Sequence, residues 1–291
     1  MMEQALQVVG VDGSPGSQKA LNWALARADR LGPVQPVSVW HYPWWALVPT
    51  VAGTLLPPGN EELEAAAERV VVEMLDGVDP ALYRDPRILH GATGPMMIEA
   101  AGDASLLVVG TRGLGAVAGS ALGSVSMHVV SHAPGPVAVV AADAEVEDHY
   151  QRVVVGVDGS ATSGLAVQWA IDNTPPSTAI DVVHAWQPSA AAAGVAVAEV
   201  LVLLADQAEQ AGQDVIETTL AAFEGRAAET GHKLTGRSVQ GDARHLLRSE
   251  AEEADLLILG AQGHRGVAHL FLGSVATAMV HHPTATTIVV R

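Results

Sequence analysis

Two aspartates and two glycine-rich loops carry the groups of this chain best suited to holding a ligand. Asp12 stands in Val8-Val9-Gly10-Val11-Asp12-Gly13-Ser14, and Asp158 stands in the same seven letters from Val154 to Ser160. Gly110, Gly113, Gly123 and Ser124 spell Gly-x2-Gly-x9-Gly-Ser, and Gly260, Gly263, Gly273 and Ser274 spell it again. An ionised carboxylate only accepts hydrogen bonds, so the aspartates suit sugar hydroxyls better than phosphates. Glycines let a backbone turn sharply and approach a ligand closely. A Gly-Ser step ahead of a helix offers free amides, the positive dipole end and a hydroxyl to an anion. A nucleotide lying from the aspartate towards the glycine loop satisfies both phrases.

The elements that must position these groups also occur twice. The aspartate phrases lie 146 residues apart and the glycine loops 150 apart, so one domain is written twice. In the first half, Leu6 to Val11, Val34 to His41, Arg87 to His90, Ser105 to Gly110 and Pro136 to Ala141 read as strands. Helical patterns run from Pro15 to Leu31, Asn60 to Leu75, Pro95 to Ala101 and Ser124 to His132. Asn60 is placed to cap the second of these, and Leu63, Ala67, Val70, Val71, Met74 and Leu75 share its apolar face. The second half repeats the order, with strands at Arg152 to Val157, Ile180 to Trp186, Leu234 to Val239, Leu256 to Gly260 and Thr286 to Val290. Strands alternating with helices, some of them unbroken apolar runs, predict parallel sheets covered on both faces. The expected fold is α/β, two tandem doubly wound, Rossmann-like domains over residues 1–142 and 151–291. Each is a five-stranded parallel sheet flanked by helices, and Ala142 to Gln151 is a polar joint. In strand order 3-2-1-4-5 the first and fourth strands are neighbours where the winding reverses, the usual ligand crevice. Asp12 and Gly110 then meet across roughly a hundred residues of chain.

Composition narrows the function classes. The 291 residues, 49% hydrophobic, suit two globular domains. A formal net charge of −17 excludes the basic footprint of a nucleic-acid binder. Only Lys19 and Lys233 are lysines, so an anionic ligand must be held by local donors against the overall field. The absence of cysteine removes disulfides and thiol catalysis and fits a reducing compartment. No basic region precedes an apolar run at the start, and the Ala190–Ala205 stretch is interrupted by Glu199 and too short to span a bilayer. A cytoplasmic protein without membrane attachment is expected. No GxGxxG follows the first strand, Gly113-Leu-Gly115 lies in the wrong place for it, and no GxxxxGK[ST] occurs. A dinucleotide fingerprint and an ordinary P-loop are therefore excluded, and no G-x-S-x-G elbow marks a nucleophile.

The phrase Val-Gly-Val-Asp-Gly-Ser opening each half, with Gly-x2-Gly-x9-Gly-Ser after the fourth strand, resembles the universal stress protein family in its tandem, nucleotide-binding form. The resemblance covers essentially the whole chain, and Gly91 and Gly241 after the third strand also match. It implies ATP in the cleft, with or without magnesium, and regulatory rather than metabolic work under stress, passed to an unnamed protein partner. It also implies that the two halves pair through their last strands as a pseudo-dimer, leaving surface for a homodimer of the whole chain. By the same matching, Asp12 and Asp158 take the ribose side and Val39 and Val183 the adenine side. Gly110, Gly113, Gly123, Ser124 and Val125 form the first phosphate loop, and Gly260, Gly263, Gly273, Ser274 and Val275 the second. Two other readings stand beside this one: a slow ATPase or nucleotidyl/phosphoryl-transfer enzyme, and an interaction protein with empty clefts.

The copies depart from each other in ways that bear on binding. Arg112 of the first loop is replaced by Gln262 in the second, with Arg265 three residues further on. Arginine offers a forked, permanently charged donor set, so the first site is expected to bind ATP more tightly. His128 and His132 have the i, i+4 spacing of metal ligands, but no third ligand is evident, and a helix-end histidine near the negative dipole fits better. Trp40, Trp44 and Trp45 have the composition of a lid over a base or of a core edge. His264 and His269 lie in the second glycine loop, within reach of phosphates or exposed.

Overall fold

The computed structural model describes residues 5–42, 59–102, 104–113, 122–144, 146, 149–188, 198–263 and 272–291, the side chains of 198 and 199 excepted. The chain divides into two compact units, Met1–Ala142 and Asp143–Arg291.

In the first unit the strands are β1 (Gln7–Gly10), β2 (Val34–Trp40), β3 (Arg87–His90), β4 (Leu106–Gly110) and β5 (Val137–Val140). They pair in the order β3-β2-β1-β4-β5, all parallel. The helices are α1 (Pro15–Leu25), α2 (Ala28–Leu31), α3 (Asn60–Met74), α4 (Thr93–Ala101) and α5 (Ser124–His132). The second unit repeats the plan with β6 (Arg152–Gly156), β7 (Ala179–Trp186), β8 (Lys233–Gln240), β9 (Leu256–Gly260) and β10 (Thr286–Val290), ordered β8-β7-β6-β9-β10 and again parallel. Its helices are α6 (Ala161–Asn173), α7 (Ala198–Glu229), α8 (Ala243–Glu252) and α9 (Ser274–His281).

The parallel order follows from composition. Val8, Val9, Leu106, Leu107, Val108, Val153, Val154, Val155, Leu256, Leu257 and Ile258 are at most 2% exposed. Central strands of this kind are covered on both faces, which only helical crossovers can provide. In the first unit α1 packs on β4, β1 and β5, while α4 packs on β2, β1 and α5. In the second, α6 packs on β9, β10 and β6, while α7 lies along β8 and β7. The α3 and α7 helices occupy the same place in the repeat, but α7 has 32 residues and α3 has 15.

Two local expectations are corrected. The pattern from Pro15 to Leu31 is two helices. The last turn of α1 tightens, with Arg27 N–H donating to Ala24 O at 3.1 Å, and Arg27 leaves helical geometry at φ −111, ψ 6. Its guanidinium folds back, donating through Nη1 to Trp23 O at 2.7 Å and lying 4.2 Å from the Trp23 ring centroid. The cap of α3 is Gly59, and Asn60 is already helical and accepts a hydrogen bond from the Tyr42 hydroxyl. A side chain bonded elsewhere does not serve as the cap.

Candidate functional site

Each aspartate is held by its own turn before it meets any ligand. Asp12 Oδ1 accepts from Ser14 N–H at 3.0 Å, and Asp158 Oδ1 accepts from Ser160 N–H at 3.0 Å. Ser14 and Ser160 then cap α1 and α6, accepting from Ser17 and Ser163 amides. The same caps reach the glycine loop. Ser14 Oγ donates to Arg112 O at 3.2 Å, and Ser160 Oγ donates to Gln262 O at 3.4 Å. One hydrogen-bond chain thus ties the end of the first strand to the loop after the fourth in both units. It explains why the two phrases recur together.

The glycines of the loop serve different ends. A side chain at Gly113 would overlap the Asp12 carboxylate, and one at Gly263 would overlap that of Asp158. These glycines let the loop backbone lie against the aspartate. A Cβ at Gly110 would lie 2.5 Å from Gly16 O, so this glycine makes room for the start of α1; the approach expected towards a ligand is first an approach to protein. Gly260 makes the same room, with a Cβ 2.8 Å from Thr162 C. Gly123 differs: its φ of −71 and ψ of 153 suit any residue, and a Cβ there meets nothing nearer than 3.6 Å. Neither conformation nor packing within the protein requires glycine at this position.

Gly123 N–H closes the loop onto Thr111 O at 2.7 Å, and Gly273 N–H does the same onto Ala261 O at 2.7 Å. Gly123 and Gly273 are the caps of α5 and α9, and neither helix has a side-chain cap or an acidic residue in its first turn. Helix geometry leaves the first amides without intrahelical acceptors, so Ser124 and Val125, like Ser274 and Val275, present donors at the positive dipole end.

In the first unit all these parts face one cavity of about 740 Å³ at the carboxyl ends of β1, β2 and β4. That is within the usual range for a small-molecule site. Asp12, Val39, Gly110, Arg112, Gly113, Gly123, Ser124 and Val125 all line it. So do Ser17, Val37, His41, Thr93, Gly94, Pro95, Met97, Ser126 and His128, which the sequence reading did not assign to a ligand. Thr93, Gly94, Pro95 and Met97 enter because α4 begins where β3 ends, beside the same crevice. Ser17 and Ser126 are structural, donating to Ser14 O and Gly110 O. In the second unit Asp158, Gly260, Gly263, Gly273, Ser274 and Val275 stand in the same local arrangement. Val183 is not the register equivalent of Val39. It pairs with Gly156 as Val37 pairs with Gly10, so the counterpart of Val39 is Ala185. The offset of 146 that relates the two aspartate phrases also holds at these strands and carries Val39 to Ala185.

The remaining candidates resolve differently. Trp40 lies tilted against His90 at 4.2 Å between ring centroids, with Tyr42 edge-on at 6.2 Å, and it is His41 that lines the cavity. Trp44, Trp45, His264, Arg265 and His269 lie outside the described residues. His128 and His132 stack at 4.4 Å, and His132 Nδ1 bonds to His128 O at 2.8 Å. No group of three metal-ligating side chains occurs among the described residues. Nor is any described helix long and apolar enough to cross a membrane.

Comparison with known proteins agrees with the repeat. The model of the universal stress protein family matches residues 8–141 and again 149–291. Universal stress protein Rv2623 of Mycobacterium tuberculosis is 32% identical over 298 residues, covering 98% of this chain and 95% of that protein. Universal stress protein Mb2019 of Mycobacterium bovis is 31% identical over 311 residues, covering 98% and 94%. The crystal structure of a universal stress protein from Archaeoglobus fulgidus has the same fold, with a TM-score of 0.68 at 18% identity over 100% of this chain and 99% of that one. Two matches to one family model, each spanning one copy of the repeated aspartate and glycine phrases, establish that this chain belongs to the universal stress protein family.

Proposed function

We propose that the chain is an ATP-binding regulatory protein of the cytoplasm, with one nucleotide site in each half. The observation that carries this reading is the single cavity shared by Asp12, Val39 and the loop residues Gly110, Arg112, Gly113, Gly123, Ser124 and Val125. The apolar floor of Val37, Val39 and Met97 suits a base. The Asp12 carboxylate suits ribose hydroxyls. Arg112 and the uncapped start of α5 suit phosphates. Magnesium would neutralise phosphate charge in a chain of net charge −17.

The second site uses Asp158, Gly260, Gly263, Gly273, Ser274 and Val275, with Ala185 in place of Val183 on the adenine side. The nucleotide state is read by a protein partner, and the two halves pair through the apolar runs Val137–Val140 and Ile288–Val290, since an uncovered edge strand invites pairing. A dumbbell-like scattering profile would count against that pairing.

The deciding experiment is to heat-denature the purified protein and identify what it releases, then to titrate the emptied protein with ATP. Release of intact ATP, or sub-millimolar ATP binding lost in Asp12→Ala combined with Asp158→Ala, supports the reading. Protein free of nucleotide with no measurable ATP affinity overturns it. ADP production that disappears in Asp12→Ala would replace it with the slow ATPase.

A further inference from the structure

His128 has no part in the phosphate loop as the motif defines it, yet its imidazole lines the cavity beside Ser124 and Val125. It lies four residues beyond Ser124 on α5, about 6 Å further along the helix. Helical side chains tilt back towards the N-terminus, which brings the ring towards the free amides. The ring is fixed on two sides. It stacks on His132 at 4.4 Å, and it rests on Gly94 of α4, where a Cβ would come within 2.5 Å of its Cδ2. Among the described residues neither ring nitrogen of His128 has a hydrogen-bonding partner.

The second half changes both members of this contact together. At the offset of 150, Arg244 stands where Gly94 does and Ala278 stands where His128 does. Losing the imidazole opens the space that a side chain at the α4 position would need. The second half thus carries a basic residue at the α8 position that matches Gly94 and none at the α9 position that matches His128. Arg244 is steadied by Asp242, the cap of α8, through Nη2 to Oδ2 at 3.2 Å, and more than half of its side chain is exposed. The exchange coincides with replacement of Arg112 by Gln262.

We propose that the corner between the start of α4 and the second turn of α5 is a further phosphate-facing position, filled by His128 in the first site and by Arg244 in the second. Its task is to contact the outer phosphates of a nucleoside polyphosphate, so it sets preference for ATP over adenosine. The proposal rests on the nucleotide reading above.

The test is calorimetric titration of the full chain with ATP and, separately, with adenosine. Asp158→Ala leaves the first site, and His128→Ala is added to it; alanine is what the second half carries at that position. ATP affinity falls about tenfold or more, as loss of one hydrogen bond to a charged group implies, while adenosine affinity stays within about twofold. In the Asp12→Ala background, Arg244→Ala has the same selective effect on the second site. Equal losses for ATP and adenosine would show a packing role and overturn the proposal, as would no loss for either. If the parent binds neither ligand, the nucleotide reading itself fails and this one falls with it.

Discussion

At the scale of single residues, the glycine motif separates into positions required by the protein and one that the protein leaves open. Gly113 must stay bare because its backbone lies against Asp12, and Gly113→Ala would push on the carboxylate it frames. Gly123 has an ordinary backbone and free space before it. Gly123→Val is therefore expected to leave thermal stability within a degree or two, since such backbone angles suit β-branched residues. It should lower ATP affinity at the first site at least tenfold, about 1.4 kcal/mol, by filling the space where phosphate meets the α5 amides. Calorimetry and a melting curve on the same sample check both halves of this expectation. Unchanged affinity would remove the loop from the site. Arg112→Gln, which copies the second loop, should also weaken ATP and leave adenosine almost unaffected, because a charge-assisted hydrogen bond is about twice as strong as a neutral one.

At the scale of elements, the second unit carries an ion network whose charged residues are not repeated at the matching positions of the first. Arg152, at the head of β6, bonds Asp181 of β7 through Nε at 2.8 Å and Glu250 of α8 through Nη2 at 2.6 Å. Arg237 of β8 also pairs with Glu250, and Thr235 donates to Asp181. Leu6 and Gln35 occupy the places of Arg152 and Asp181 in the first unit. Burial works against ionised Asp181, but hydrogen bonds from Thr235 and Arg152 and the charges of Arg152 and Arg237 outweigh it, so its pKa falls below the ordinary value. Hydrogen bonding from Arg237 is the largest influence on Glu250, and with Arg152 it overcomes burial and lowers that pKa too. Carboxylates with depressed folded-state pKa values contribute stability that is present above their unfolded pKa, near 4. That stability is lost as pH falls through the folded values. Acidification from pH 6 to pH 3 should thus release protection in β6, β7 and β8 before that in β1, β2 and β4. Arg152→Leu should reduce this difference. Hydrogen exchange followed by peptide mass spectrometry reads both, and equal acid sensitivity of the two sets of strands would refute the assignment. The groups are partly exposed, so the effect should shrink in high salt.

At the scale of the whole molecule, the chain is two copies of one scaffold whose sites have diverged. The aspartate turn, the serine cap, the closed glycine loop and the uncapped helix are the same in both. The basic side chains around them are not. Arg112 faces the first cavity, whereas in the second unit Gln262 is neutral and Arg244 shares its charge with Asp242. The first site should therefore bind ATP more tightly, by a margin that Arg244 narrows. Calorimetry on Asp12→Ala and Asp158→Ala, each leaving one site, gives the two constants. Equal affinities or a tighter second site would contradict this. Gln262→Arg should close the remaining gap.

By itself, the sequence determined the duplication, the α/β class, the strand order and the two phrases that meet at the first and fourth strands. These were readable because they rest on local signals: apolar runs of strand length, turn glycines, Ser and Asp at helix starts, and a repeat that supplies each signal twice. The break between α1 and α2 was not readable, because it depends on Arg27 turning back onto Trp23 and not on a breaker residue. The mismatch of Val39 with Val183 was legible in the sequence, because the offset of 146 between the aspartate phrases carries Val39 to Ala185 and the strand pairing keeps that offset. His41, Thr93, Gly94, Pro95, Met97 and His128 entered the cavity wall only in three dimensions. They lie just past β2, on α4 and on α5 at separations no motif encodes, and what brings them together is the packing of α4 against α5 at the carboxyl edge of one sheet.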